Sequence, residues 1–248
     1  MLQCRVPAKK FLSAPNRNII LRTFCKFTEY ILKAPEYYDF LNDNGFVINP
    51  QLHSYQDIRK MVNYFMYTKV IQILPDIREM ILDEEARLNW SSYYWIGIQI
   101  RTGKMPGDEG QSTFLYKDDL EMFFKHAIDR TEAAKNKTSK PVKWFIAADS
   151  VMVKEDILNR FPQYYVSTEC SLSHSFRDVK RNDRTEGMLC TLLDNYLFSD
   201  VNEAIVTSSS TYGLLATYRN LYIKKVMVNR GDWKKYQKSL KQKKLIVC

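Results

Sequence analysis

The stretch Trp95–Arg101 reads WIGIQIR, a short apolar run that ends on an arginine. Trp95, Ile96, Ile98 and Ile100 leave it no polar face, which is the pattern of a strand covered on both sides. Four runs of similar kind follow it: WFIAAD (144–149), QYYVST (163–168), AIVTS (204–208) and KKVMVN (224–229). Helical patterns at 117–135, 151–160, 185–199 and 211–220 alternate with these runs. Apolar strands separated by helices predict an α/β unit, a doubly wound parallel sheet over residues 93–230. Ligands of such units gather beyond the carboxyl ends of the strands, so residues at strand exits are the first candidates for function.

Composition agrees with a packed protein. The chain has 248 residues, 45% of them hydrophobic and 13% aromatic, which excludes a disordered chain. Its 37 Lys and Arg against 28 Asp and Glu give a net charge of +9. That balance suits a nucleic acid, a membrane surface or a phosphorylated ligand. No RNP, KH or zinc-finger signature is present, so nucleic acid is not the expected partner. Cys4, Cys25, Cys170, Cys190 and Cys248 form no CxxC pair and indicate neither a thiolate metal site nor a disulfide framework. Cys190 falls in an apolar helical pattern and reads as a core residue. His53, His126 and His174 are scattered, and no metal ligand set can be assembled from the sequence.

On either side of the sheet unit the signals are weaker. Residues 1–50 mix aromatic runs with Pro7, Pro15, Pro35 and Pro50. From His53 to Leu88 the pattern is helical: Ile58, Met61, Val62, Phe65, Met66, Val70, Ile71 and Leu74 recur at three- and four-residue steps until Pro75 interrupts them. Residues 1–92 therefore read as a mostly helical N-terminal region. Residues 231–248 read as a basic tail, a lysine-rich solvated helix face or a frayed end. The opening MLQCRVPAKKFLSAP has no apolar signal-peptide core, and no run is long enough for a membrane anchor.

Three features fall at strand exits. Arg101 follows the first strand and is either a strand-end surface charge or an anion ligand. Asp149 ends the second strand. The stretch VTSSSTYG (206–213) carries the fourth strand into a helix through Ser208, Ser209, Ser210 and Thr211. A helix starting there presents unpaired N–H groups and the positive end of its dipole. Added hydroxyls, with Gly213 admitting close backbone approach, make a phosphate cradle. The plainer alternative is that one serine only caps the helix. Asp194 borders the apolar stripe of the preceding helix. It reads as a surface carboxylate or as an acceptor for a base amide or a ribose hydroxyl.

Taken in order, IGIQIR, WFIAADS and DNYLFSDVNEAIVTSSSTYGLLA resemble the GDP-fucose-dependent fucosyltransferases. The plant-type xyloglucan α-1,2 group is nearest, with the α-1,6 and protein O-fucosyltransferases as relatives. The resemblance implies a GT-B-like architecture in which the C-terminal Rossmann-like domain, here 93–230, holds the donor. Residues 1–92 then stand for a truncated acceptor domain or inter-domain helices. It implies that Arg101 binds the β-phosphate, with Gln99 two residues before it as in the plant-type group. Asp194 would contact the nucleoside, Ser210 and Thr211 with neighbouring Ser209 and Gly213 the diphosphate, and Asp149 would have a more structural part. It further implies transfer of fucose from GDP-fucose, with inversion and without metal or other cofactor, to a glycan or glycoprotein acceptor in the Golgi or secretory lumen. The same motifs would also serve a relative that binds a nucleotide sugar or glycan and no longer transfers. No general base is identified; Asp108 and Glu109, in the loop after Arg101, read equally as surface charge.

Overall fold

A computed structural model describes residues 42–43, 60–61, 63–64, 73–103, 114–168, 181–208 and 210–246. Ser209, Asp108, Glu109 and most of the helical stripe between Ile58 and Ile71 lie outside the described residues. The chain divides into two compact units, Met1–Gln72 and Ile73–Cys248. Only the second is described at length. It begins ahead of residue 93 because helix α1 (Pro75–Arg87) and the turn Trp90–Ser92 bury Ile81 and Trp90 in the core beside the sheet. Pro75 opens α1 at its first position, where its missing N–H has no intrahelical acceptor to lose.

The remaining elements are β1 (Tyr94–Ile100), α2 (Leu120–Lys135), β2 (Val142–Ala148), α3 (Val151–Arg160), β3 (Tyr165–Val166), α4 (Arg181–Ser199), β4 (Glu203–Thr207), α5 (Thr211–Tyr218), β5 (Lys224–Val228) and α6 (Asp232–Ile246). The five strands form one parallel sheet in the order β3-β2-β1-β4-β5. The chain thus winds outward from β1 to β3, returns to the far side of β1, and winds outward again. This is the doubly wound α/β fold expected from the sequence.

Period-two alternation divides the strand side chains between two cores. Ile96, Ile98 and Ile100 join Trp144, Ile146 and Ile205 on one face, under Phe123, Phe124 and Ala127 of α2 and Val153 and Ile157 of α3. Trp95, Phe145, Ala147, Ala204 and Val206 join the other, under Leu193, Leu197 and Phe198 of α4 and Ala216 of α5. Gly97 lets α4 approach: a Cβ there would lie 2.8 Å from a ring carbon of Phe198. Any side chain would push the helix off the strand.

Four of the sequence-derived strands match within two residues, whereas the third is shorter. β3 is an edge strand with one neighbour and holds only the pairs Trp144↔Tyr165 and Phe145↔Val166. α4 starts at Arg181, ahead of residue 185. The basic tail begins as a docked helix. Trp233 and Tyr236 pack against the first core, and the buried carboxylate of Asp119 accepts the N–H groups of Gly231 and Trp233.

Two polar features complete the frame. At the amino-terminal edge of the sheet the carboxylate of Glu203 pairs with the Arg130 guanidinium and accepts the Tyr94 hydroxyl at 2.9 Å. Glu203 is 4% exposed. Cys190, read from the sequence as a core residue, is disulfide-bonded and only partly buried. The four other cysteines all lie outside the described residues. Sequence spacing alone could not pair them, because connectivity depends on which segments the fold brings together. No helix among the described residues is long and apolar enough to cross a membrane.

Candidate functional site

Sheets of this winding leave a crevice where neighbouring connections diverge to opposite faces, beyond the carboxyl ends of two adjacent strands. Here those strands are β1 and β4. Arg101 follows the first, and Ser210 and Thr211 follow the second.

Arg101 is held at three points. Its backbone N–H donates to Thr207 Oγ1 at 2.9 Å, its Nε lies 3.4 Å from Asp149 Oδ2, and its guanidinium sits 5.5 Å over the Phe114 ring. The side chain is 36% exposed. Among the described residues no acceptor engages its two Nη nitrogens. The guanidinium therefore keeps the planar edge that pairs with two oxygens of a phosphate or carboxylate.

Asp149 organises the β1 exit. Its Oδ1 accepts the Thr102 N–H and hydroxyl, each at 2.9 Å, and its Oδ2 accepts the Gly103 N–H at 3.1 Å. One carboxylate thus folds the turn after β1 and anchors the Arg101 side chain.

At the β4 exit Ser210 occupies the N-cap position of α5, with φ −87° and ψ 109°. Its side chain makes no capping hydrogen bond, although the residue is 4% exposed. A serine serving only as a cap would accept an N–H from the first turn. Thr211, the first helical residue, is exposed.

Gly213, one turn further, is buried against β1. A Cβ at this position would lie 2.9 Å from Gln99 Cδ, so its bare backbone accommodates the Gln99 amide. Gln99 is 3% exposed, and its Oε1 has no hydrogen-bond partner among the described residues. The pair locks α5 onto β1 directly beneath the crevice.

Asp194 lies on α4 and is 8% exposed. Thr168, just past β3, donates its hydroxyl to Asp194 Oδ1 at 2.5 Å. Burial raises the Asp194 carboxyl above the usual carboxylate range, and the Thr168 hydrogen bond offsets only part of that rise. No donor among the described residues meets Oδ2. The next residue, Asn195, ties α4 to α5 by donating to the Tyr212 carbonyl at 2.9 Å.

Arg101 and Asp194 thus share a design: one end of the polar group is secured by the protein and the other is left open. Of the residues that secure them, sequence reasoning singled out Asp149 but neither Thr207 nor Thr168. Thr207 left a signal, as a hydroxyl residue ending the buried run AIVT. Among the described residues no group of three His, Cys, Asp or Glu side chains is placed to hold a metal ion.

No protein-family model and no curated protein sequence matches the chain. Solved structures of the fucosyltransferase NodZ show a distant likeness. The NodZ α-1,6-fucosyltransferase co-crystallised with GDP is 18% identical, with a TM-score of 0.45 over 68% of this chain and 47% of that one. NodZ from Bradyrhizobium is 19% identical at the same score and coverage, and its selenomethionine form is 18% identical at 0.45 over 86% of this chain and 64% of that one. The chain spans about half the length of the first two structures.

Proposed function

We propose that residues 93–230 form the donor-binding part of a fucosyltransferase that uses GDP-fucose. What supports the reading is the convergence of three sequence motifs on one edge of the sheet. Arg101 and Asp149 are joined by an ion pair, and Arg101 is bonded through its backbone to Thr207, three residues before Ser210. In this reading Arg101 and the start of α5 hold the diphosphate, and Asp194 offers its open oxygen to the nucleoside. In this reading Gln99, two residues before Arg101, is the feature that favours the plant-type group.

The chemistry follows from charge. An acceptor hydroxyl attacks C1 of the fucose from the face opposite the diphosphate and gives up its proton to water. The C1–oxygen bond breaks, and negative charge grows on the β-phosphate of the departing GDP. Arg101 and the N–H groups and hydroxyls of Ser210 and Thr211 stabilise that charge where it forms, without a divalent metal. Attack from that face inverts the configuration at C1. The acceptor is a glycan or glycoprotein in a secretory or Golgi lumen; the disulfide at Cys190 accords with an oxidising compartment.

The Ser210→Ala, Thr211→Val double variant tests the cradle. Because Ser210 makes no capping bond, the double change is expected to cost less stability than the roughly 0.5–2 kcal/mol of a lost cap. GDP affinity should fall while guanosine affinity, measured alongside, stays level. A lowered melting temperature with an unchanged GDP-to-guanosine ratio would assign these residues to capping.

A further inference from the structure

The hydrogen-bonded ladder between β1 and β4 runs from Ile96↔Glu203 to Gln99↔Val206 and stops. The next residue of β4, Thr207, continues the connection with its side chain. Its Oγ1 accepts the Arg101 N–H at 2.9 Å and donates to the Gln99 carbonyl at 3.3 Å. A single hydroxyl therefore spans Gln99 to Arg101 at the point where the two chains separate. Thr207 is 1% exposed. A buried hydroxyl is unfavourable unless its hydrogen bonds are made, and the shape of the site would take valine equally well. The branched Cβ restricts χ1, so the hydroxyl has little freedom to follow a moving strand end.

We propose that Thr207 is a positioning residue for Arg101. It fixes the backbone from which the guanidinium projects, while Asp149 on the opposite side fixes Nε. Between them they set where the two Nη nitrogens stand before any ligand arrives. The pair acts through Arg101, and the proposal rests on the reading of Arg101 as the diphosphate ligand. A guanidinium anchored at both its root and its Nε loses less freedom on binding, and that preorganisation appears as affinity for the diphosphate alone.

The test uses the full chain with Thr207→Val, which removes the hydroxyl at nearly constant volume, and Thr207→Ser, which keeps it. Thr207→Val is expected to weaken GDP about fivefold to tenfold, the net effect of losing the hydrogen bond to the Arg101 N–H. Guanosine should stay within about twofold, and Thr207→Ser should restore most of the GDP affinity. In an Arg101→Ala background, Thr207→Val should have no further effect on GDP, because the two residues act as a unit. Thr207→Cys keeps a weaker polar atom at the same place and serves the same comparison if the valine variant does not fold. A lowered melting temperature with an unchanged GDP-to-guanosine ratio would reduce Thr207 to a structural residue. The Arg101 Nε–H resonance of the ligand-free chain reads positioning separately from the donor reading. It should be sharp in the parent and broadened or shifted in Thr207→Val. An unperturbed resonance in the variant would overturn the proposal even if GDP binds; failure of the parent to bind GDP would instead overturn the donor reading.

Discussion

Alanine at position 101 is expected to raise the barrier to fucosyl transfer by about 2–5 kcal/mol, the cost of leaving a bound charge without its partner. The loss should appear in kcat/KM and in GDP affinity, with guanosine affinity much less affected. Arg101→Lys should recover only part of it, because an ammonium cannot reproduce the two-pronged contact of the guanidinium. Folding stability should barely change. The Arg101–Asp149 pair is 3.4 Å apart with a third of the arginine side chain in solvent, and such pairs contribute at most about 1 kcal/mol. If Arg101 only closes a strand end, the alanine variant will bind GDP like the parent.

The largest stability effect belongs to the opposite edge of the sheet. Arg130→Ala leaves the Glu203 carboxylate, 4% exposed, with the Tyr94 hydroxyl as its one side-chain partner among the described residues. Removing one partner of a buried ion pair costs about 3–5 kcal/mol, far more than the pair itself contributes over an apolar substitute. Urea unfolding should show that loss as a lower midpoint with an unchanged slope. GDP affinity of the folded fraction should be unaffected, since Glu203 and Tyr94 begin their strands and the candidate site lies beyond the strand ends. A loss below about 1 kcal/mol would mean that water reaches Glu203 in solution. Together the two variants separate the ligand edge of the sheet from its structural edge.

What could be read from the sequence follows the range of the interactions involved. β1, β2 and β4 were legible because strands buried on both faces are written as local apolar runs, and β5, an edge strand with Lys224 and Met227 exposed, was legible by its short run VMV. α3 was legible to the residue, with Ser150 before its first turn accepting the Val153 N–H at 3.4 Å. The exits carrying Arg101, Asp149 and Ser210 followed from the same runs. The contacts that position those residues did not. Thr207 meets Arg101 across 106 positions, Thr168 meets Asp194 across 26, and Tyr94 meets Glu203 across 109. A short polar side chain gives no local sign of so distant a partner. Gly213 reads in sequence as room for a ligand, and in the fold its bare backbone accommodates the Gln99 amide. Cys190 shows the same limit, since a disulfide joins segments whose proximity only the fold determines.

The central claim is that the crevice between β1 and β4 recognises a guanosine diphosphate. Titration calorimetry with GDP and ADP, run in EDTA, tests it most directly. Both nucleotides offer the same diphosphate to Arg101 and α5, but guanine presents adjacent N1–H and N2–H donors to the open oxygen of Asp194, where adenine has the N1 acceptor and a C–H. GDP is expected to bind about tenfold or more tightly than ADP, because a site built around a specific hydrogen bond rejects a ligand that cannot make it. Equal affinities, or binding that disappears in EDTA, would contradict the account.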